Sequence, residues 1–321
     1  MKMDDIFLKY SDDMKAVDRE LLEIFKSNVF LIPMVGKHLL NSGGKRIRPL
    51  FLLLAADLCG YKGTNRNLLA AIIEAIHTAS LLHDDVIDGA DTRRGRPAAH
   101  SLWGNQVVIL EGDFLYSNAL KLAVSQKSQK IMEALSEATT KMTEGEILQL
   151  NKIGDPDITQ EEYFEITAAK TGVLIAAACR IGGVLSNIPD EKEKALSSFG
   201  MKTGIAFQLA DDILDYVAEQ KDLGKKLGKD LNEGKITMPL IYLLKNASQP
   251  EKDEVKKIIK GEGAGLNRIL ELFSKYNAIE ESLKAANTLV EEAKTELSIF
   301  PDSREKESLF AMAEYAMQRE K

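Results

Sequence analysis

Leu68-Leu69-Ala70-Ala71-Ile72-Ile73-Glu74-Ala75-Ile76-His77-Thr78-Ala79-Ser80-Leu81-Leu82-His83-Asp84-Asp85-Val86-Ile87-Asp88 is the stretch that decides the fold. Apolar residues recur at helical spacing, polar ones are few, and nothing alternates with the period of a strand. The segment therefore predicts a mostly buried helix. Its last turn carries three aspartates, with Asp84 and Asp88 on one face at i, i+4. Like charges at that spacing repel, and unpaired carboxylates on a buried helix are costly.

The pattern occurs twice. Gln208-Leu209-Ala210-Asp211-Asp212-Ile213-Leu214-Asp215 repeats Asp-Asp-x-x-Asp, again on an apolar segment, Ile205 to Val217. A divalent cation removes the conflict at both places. One or two carboxylates, completed by water and phosphate, form the oxygen set that magnesium prefers. The first cluster also ends its helix, where the macrodipole favours a cation. Asp84, Asp85, Asp88, Asp211, Asp212 and Asp215 are thus candidate metal ligands. A solvated acidic patch explains one such cluster more readily than two.

Magnesium held by acids commonly serves a phosphorylated ligand, whose remaining charge needs cations. Ser42-Gly43-Gly44-Lys45-Arg46-Ile47-Arg48-Pro49 is a glycine-rich turn with Lys45, Arg46 and Arg48, leading into a helix start suited to anions. Asp91-Thr92-Arg93-Arg94-Gly95-Arg96 follows the first acidic cluster and offers guanidinium groups to phosphate. Asp222 to Asp230, then Gly234-Lys235, follows the second, and its glycines and lysines suggest a loop that closes over a ligand. His77 lies two turns before Asp84 on the same face. Lys170-Thr171 interrupts the apolar stretch 160–180, where a lysine needs an anionic partner.

The bulk properties agree. The 321 residues are 45% hydrophobic, enough for a sizeable core. Length alone suggests about two domains, but no linker, low-complexity tract or fixed-period repeat divides the chain. The net charge of −7 gives no global pull toward nucleic acid or an anionic membrane. Cys59 and Cys179 sit in apolar, helix-like stretches and read as core residues of a reduced, intracellular protein. The charged first ten residues lack a signal-peptide core, and no apolar run reaches the length of a membrane span. These features predict a cytoplasmic protein. Helices are expected at roughly 12–40, 49–58, 67–88, 106–124, 128–151, 160–180, 191–217, 237–246, 251–260, 265–275, 278–297 and 302–319. Pro49 should open one as its first residue, Gly60 and Gly89 should close two, and Asp157-Ile158-Thr159 should cap another.

These residues resemble the trans-isoprenyl diphosphate synthases, the polyprenyl synthetase family. The resemblance spans nearly the whole chain: Gly43 to Pro49, the first aspartate motif through Arg94, Gly112-Asp113, Glu144-Gly145-Glu146 with Gln149, Lys170-Thr171, Gln208 to Asp215, Gly224-Lys225, Gly228, Asp230, and Gly234 to Pro239. Lys226 stands where the family often has proline. The resemblance implies one domain over 1–321, an all-α antiparallel helical bundle around a deep central cavity, and a homodimer. It also implies roles by position. Lys45, Arg48, His77 and Arg94 would hold isopentenyl diphosphate. Arg93, Lys170, Lys225 and Lys235 would hold the allylic diphosphate, with farnesyl diphosphate the expected starter. Asp84, Asp88 and Asp211 would be the principal Mg2+ ligands, supported by Asp85, Asp212 and Asp215. Lys170, Thr171 and Gln208 would act at the reacting allyl group.

Competing readings account for less of the sequence. A metal phosphohydrolase built on His83-Asp84 needs more histidines than His38, His77 and His100 supply, and leaves Asp211 to Asp215 unused. A terpene cyclase would have an Asn/Ser-containing second motif. A non-catalytic subunit of a heteromeric prenyltransferase would have eroded acid motifs.

Product length should be read one turn below Asp84. Short-chain members of the family often place an aromatic there, but this chain has Ala79 and Ser80, with Ile76 and Ile73 beyond. At about 5.4 Å per turn, one isoprene unit spans on the order of one turn. Open positions favour roughly seven to ten units, about C35–C50, with an octaprenyl product favoured. Replacing Ala79 or Ser80 with Phe should shorten the product by several units in a chain-length assay. Unchanged length would sink this reading.

Overall fold

A computed structural model describes residues 2–41, 43–93, 95–217, 228–262, 265–315 and 317. Its elements in order are α1 Met3–Lys9, α2 Ser11–Ile24, α3 Leu31–Asn41, α4 Ile47–Leu58, α5 Asn65–Ile87, β1 Thr92–Arg93, β2 Arg96–Pro97, α6 Ala99–Trp103, α7 Asn105–Ser125, α8 Gln129–Asn151, α9 Gln160–Thr167, a π turn Ala168–Gly172, α10 Val173–Val184, α11 Asp190–Val217, α12 Lys229–Asn232, α13 Met238–Asn246, α14 Gln249–Ile259, α15 Gly265–Tyr276, α16 Ala278–Glu296, a 3-10 turn Leu297–Ile299, and α17 Arg304–Tyr315. The fold is all-α, as expected. Its two-residue strands pair as one antiparallel hairpin, Thr92 with Pro97 and Arg93 with Arg96.

Several boundaries differ from the sequence reading for local reasons. The helix expected over 12–40 breaks after Ile24, where Ser27 Oγ accepts the Val29 N–H at 3.1 Å and sets a turn. Pro33 lies in the first turn of the helix that follows, where its missing N–H costs nothing. Pro49 is likewise inside the first turn of α4 and not its first residue. Gly60 and Gly89 follow the ends of α4 and α5 with φ of 78° and 61°, the left-handed caps expected of them. Thr159 starts α9 through a reciprocal capping box, accepting from the Glu162 N–H while Glu162 accepts from the Thr159 N–H.

The contacts form two compact units. The first comprises residues 1–139, 177–197 and 300–309. Here α5 is packed by α2, α4 and α7, and Leu50 to Ala56 of α4 are completely buried. At about 1.5–3 kcal/mol for each large apolar side chain, such runs provide most of the driving force. The second unit comprises 140–176, 198–299 and 310–321. Its core joins Leu209 and Tyr216 of α11 to Leu240 of α13 and to Ile269, Leu272 and Phe273 of α15. The rings of Tyr216 and Phe273 meet edge to face at 5.1 Å.

Unit 1 also buries an acid. Glu111 of α7 is 3% exposed, its Oε1 has no hydrogen-bond partner among the described residues, and burial pushes its carboxyl up to about 7. The unfolded chain releases that proton near the ordinary value of 4.5. The folded state holds it longer, so its stabilisation is complete below pH 4.5, falls as pH rises from 4.5 to about 7, and is gone above. Glu111→Gln should flatten this slope. Thermal melts at pH 5 and pH 8 should show the parent losing about 1–2 kcal/mol more than the variant between them. Parallel losses would refute the assignment.

Candidate functional site

In unit 1 the acidic end of α5 divides by helical phase. Asp85 is 2% exposed and faces inward, where Arg93 of β1 grips it: Nε donates to both carboxylate oxygens at 2.8 and 2.7 Å, and Nη2 approaches at 2.6 Å. Asp84 is half-buried and Asp88 exposed, one turn apart. Arg93, assigned from the sequence to a diphosphate, is therefore engaged with Asp85. Arg94 lies outside the described residues.

The glycine-rich turn before α4 is fastened to the middle of α5. Arg46, with φ 48°, occupies the left-handed region unusual for a residue with a side chain. Its guanidinium donates to the nearly buried Glu74 at 2.9 Å. One turn along α5, Arg48 Nη1 lies 3.0 Å from His77 Nε2. Arg48 and His77 are thus brought together, while Lys45, just before Arg46, is exposed. Of the chain-length candidates, Ala79 is wholly buried and Ser80 half-buried, its hydroxyl donating to the His77 carbonyl at 2.9 Å. The length effect is therefore read more cleanly at Ser80, where a larger side chain disturbs less packing.

His83 turns toward α7. Its Nε2 lies 3.1 Å from the Ile109 carbonyl and 3.5 Å from Asp113, and its ring stacks on Tyr116. No group of three His, Cys, Asp or Glu side chains that could hold a metal by themselves occurs among the described residues. That disfavours the hydrolase reading. A magnesium ion would need only one or two carboxylates, with water and phosphate completing its shell. Asp84 with Asp88, and Asp211 with Asp215, fit that role as pairs.

Unit 2 holds a cavity of about 240 Å³ lined by Lys170, Gln208, Asp211, Asp215, Asp230 and Lys235, among others. The second acid motif divides as the first does. Asp211 is exposed. Asp215 accepts backbone N–H groups from Lys229 and Asp230 at 3.2 and 3.0 Å, which ties α11 to α12. Asp212 is buried and accepts from the Tyr163 hydroxyl at 2.6 Å and the Gln208 amide at 2.8 Å. Burial, with the charge of Asp230 adding to it, raises the Asp212 carboxyl well above the usual carboxylate range, and burial beside Asp215 raises Asp230 as well. Lys170 donates to Gln149 at 3.0 Å and lies 3.4 Å from Glu146, and Lys235 pairs with Glu233 at 2.8 Å. Lys225 and the rest of 218–227, with most of the loop expected to close, lie outside the described residues.

The expected helix 160–180 is interrupted where it matters. The Val173 N–H reaches back five residues to the Ala168 carbonyl, so Lys170 and Thr171 sit in a π turn. Thr171 Oγ1 donates to Gln208 Oε1 at 2.7 Å. The turn is seated backbone against backbone: a Cβ on Gly204 would lie 2.6 Å from the Gly172 Cα and 3.0 Å from its N. The sequence reading missed Tyr163, Glu74 and the inward role of Asp85 and Asp212. A signal for the acids existed. Leu82 to Asp85, and Leu209 to Asp212, are three residues apart and share the buried stripe of their helices.

Comparison with known proteins gives a coherent set. The family model described as polyprenyl synthetase matches residues 31–276. The chain is 40% identical to the octaprenyl diphosphate synthase of Escherichia coli (strain K12) over 97% of each chain. A decaprenyl diphosphate synthase from Rhodobacter capsulatus superposes with TM-score 0.94 and 36% identity, covering 99% of both chains. A polyprenyl synthase from Caulobacter crescentus CB15, crystallised with calcium and isoprenyl diphosphate, does so with TM-score 0.93 and 38% identity, covering 99% of this chain and 98% of that one.

Gly204→Val should force the π turn off α11. The expected cost is about 1–3 kcal/mol by thermal melt, with a greater than tenfold fall in turnover as Thr171 is displaced. Unchanged melting and turnover would show that the close approach is unimportant.

Proposed function

The chain belongs to the polyprenyl synthetase family and is a prenyltransferase, and we propose that it extends farnesyl diphosphate with isopentenyl diphosphate to an all-trans product of about C35–C50, octaprenyl favoured. The observation that carries the reading is the cavity of unit 2, where Lys170 and Gln208 adjoin paired carboxylates and Thr171 donates to Gln208 behind the wall. The product range is also supported by the likeness to octaprenyl and decaprenyl synthases. A single domain over 1–321 is part of the proposal, since relatives match over nearly all of the chain.

In this reading Lys45, Arg48, His77 and Arg94 bind isopentenyl diphosphate, and Arg93, Lys170, Lys225 and Lys235 bind the allylic diphosphate. Asp84 with Asp88 and Asp211 with Asp215 would hold magnesium, which would supply charge neutralisation on the diphosphate oxygens. Asp85 and Asp212 support those pairs from within. Lys170 and Lys235 stabilise the charge that builds as the C–O bond breaks. Thr171 and Gln208 present polar atoms to the allylic cation. The double bond of isopentenyl diphosphate then forms the new C–C bond, and a proton is lost to the departed diphosphate. No protein nucleophile is needed.

The family resemblance and the exposed Ile109, Leu110 and Val124 on α7 support a homodimer. Free Cys59 and Cys179 support a cytoplasmic location. No helix among the described residues is long and apolar enough to cross a membrane.

Purified protein incubated with magnesium, farnesyl diphosphate and labelled isopentenyl diphosphate should give a ladder ending at one long product, abolished by EDTA. No incorporation with farnesyl, geranyl or dimethylallyl starters would overturn the proposal in favour of a non-catalytic subunit.

A further inference from the structure

A line of hydrogen bonds in unit 2 runs from Tyr163 of α9 to the π turn. The phenol's single proton goes to Asp212 Oδ2 at 2.6 Å. The other carboxylate oxygen accepts from Gln208 Nε2 at 2.8 Å. That contact places the Gln208 amide nitrogen on Asp212 and leaves its carbonyl oxygen toward Thr171. Thr171 then donates its only hydroxyl proton to Gln208, at 2.7 Å. Tyr163 is 3% exposed, Asp212 6% and Thr171 8%, while Gln208 between them is half-buried at the cavity wall.

We propose that Tyr163 is a positioning residue that sets the polarity of this chain, so that Thr171 points its proton inward and its oxygen lone pairs outward at the allylic cation. The idea rests on the prenyl-transfer reading above and adds a residue that touches no reacting atom. A hydroxyl presenting lone pairs stabilises positive charge, whereas one presenting its proton opposes it. Without the phenol, Asp212 loses one of its two donors and can turn. The Gln208 amide then has two orientations of similar energy, and only one of them keeps Thr171 in register. The effect should fall on the chemical step, where charge develops, and not on diphosphate binding.

The test is a double-mutant cycle of Tyr163→Phe with Thr171→Val, read by single-turnover rate and by KM for both substrates. Wild-type turnover tests the prenyl-transfer reading by itself, and the ratios among variants test the role of Tyr163. Tyr163→Phe should lower the single-turnover rate about 10–100-fold, with each KM within about twofold. In the Thr171→Val background the same change should cost less than about threefold, because the end of the chain is already gone. An equal loss in both backgrounds, a loss confined to KM, or no loss at all would overturn the proposal. Should Tyr163→Phe not fold, 4-aminophenylalanine at position 163 keeps the shape and a donor toward Asp212. It should retain the rate within about threefold. A tenfold loss in the folded protein would overturn the proposal.

Discussion

The cost of burying a carboxylate governs this structure. Each Asp-Asp-x-x-Asp motif sits on a helix whose apolar stripe faces a core, and its second aspartate falls three residues after a fully buried leucine, Leu82 or Leu209, on that stripe. The middle aspartate of each motif is carried inside. Asp85 is met there by the Arg93 guanidinium, and Asp212 by a phenol and an amide. Both solutions satisfy every buried oxygen, which is the condition for tolerating a charge in a core. They also leave the outer pair of each motif at i, i+4, the arrangement a hard cation can use. The motif is thus divided by its own helix into an anchor and a pair of ligand candidates.

The same logic extends to the cations. Arg46 resembles its neighbours Lys45 and Arg48 in sequence, yet it is spent on Glu74 and holds the turn in a conformation that a side-chain-bearing residue rarely adopts. The π turn is another such device. It keeps Lys170 and Thr171 within one short irregularity, where a continuous α-helix would carry them in the register of its neighbours. Irregular backbone, buried acid and paired arginine are all unfavourable locally. Each is offset by a contact to a different segment of the same unit.

Much of this was legible in the residues. The helices α5 and α11 followed from apolar spacing, and the two acid motifs stood out because Glu74 was the one other charged side chain in the stretches 68–88 and 205–217. The capping box at Thr159 could be anticipated from Asp157-Ile158-Thr159, because capping chemistry is local. Other features were not local. Ala168-Ala169-Lys170-Thr171-Gly172 has the composition of an ordinary helix, and its close seat against Gly204 lies in a distant part of the sequence. The break between α2 and α3 depends on one serine hydroxyl. Tyr163 reads as a core aromatic until its acceptor is known, and that acceptor is 49 residues away. Arg46 and Arg48 are indistinguishable by type, and tertiary pairing alone separates the strut from the residue beside His77.

The contact between Gly172 and Gly204 has an evolutionary reading. Most joints between helices are made of side chains and can be revised by small compensating exchanges, one methylene at a time. This one sets Gly204 directly against the Gly172 backbone, so a side chain at position 204 faces no partner that can shrink to make room. Such a joint is a datum and not an adjustable part. Lineages built on it are free to vary the walls that measure a product, the surface that meets a partner, or the loops that admit a starter. The seat of the lysine and threonine against the second acid helix would be inherited unaltered through all of those changes.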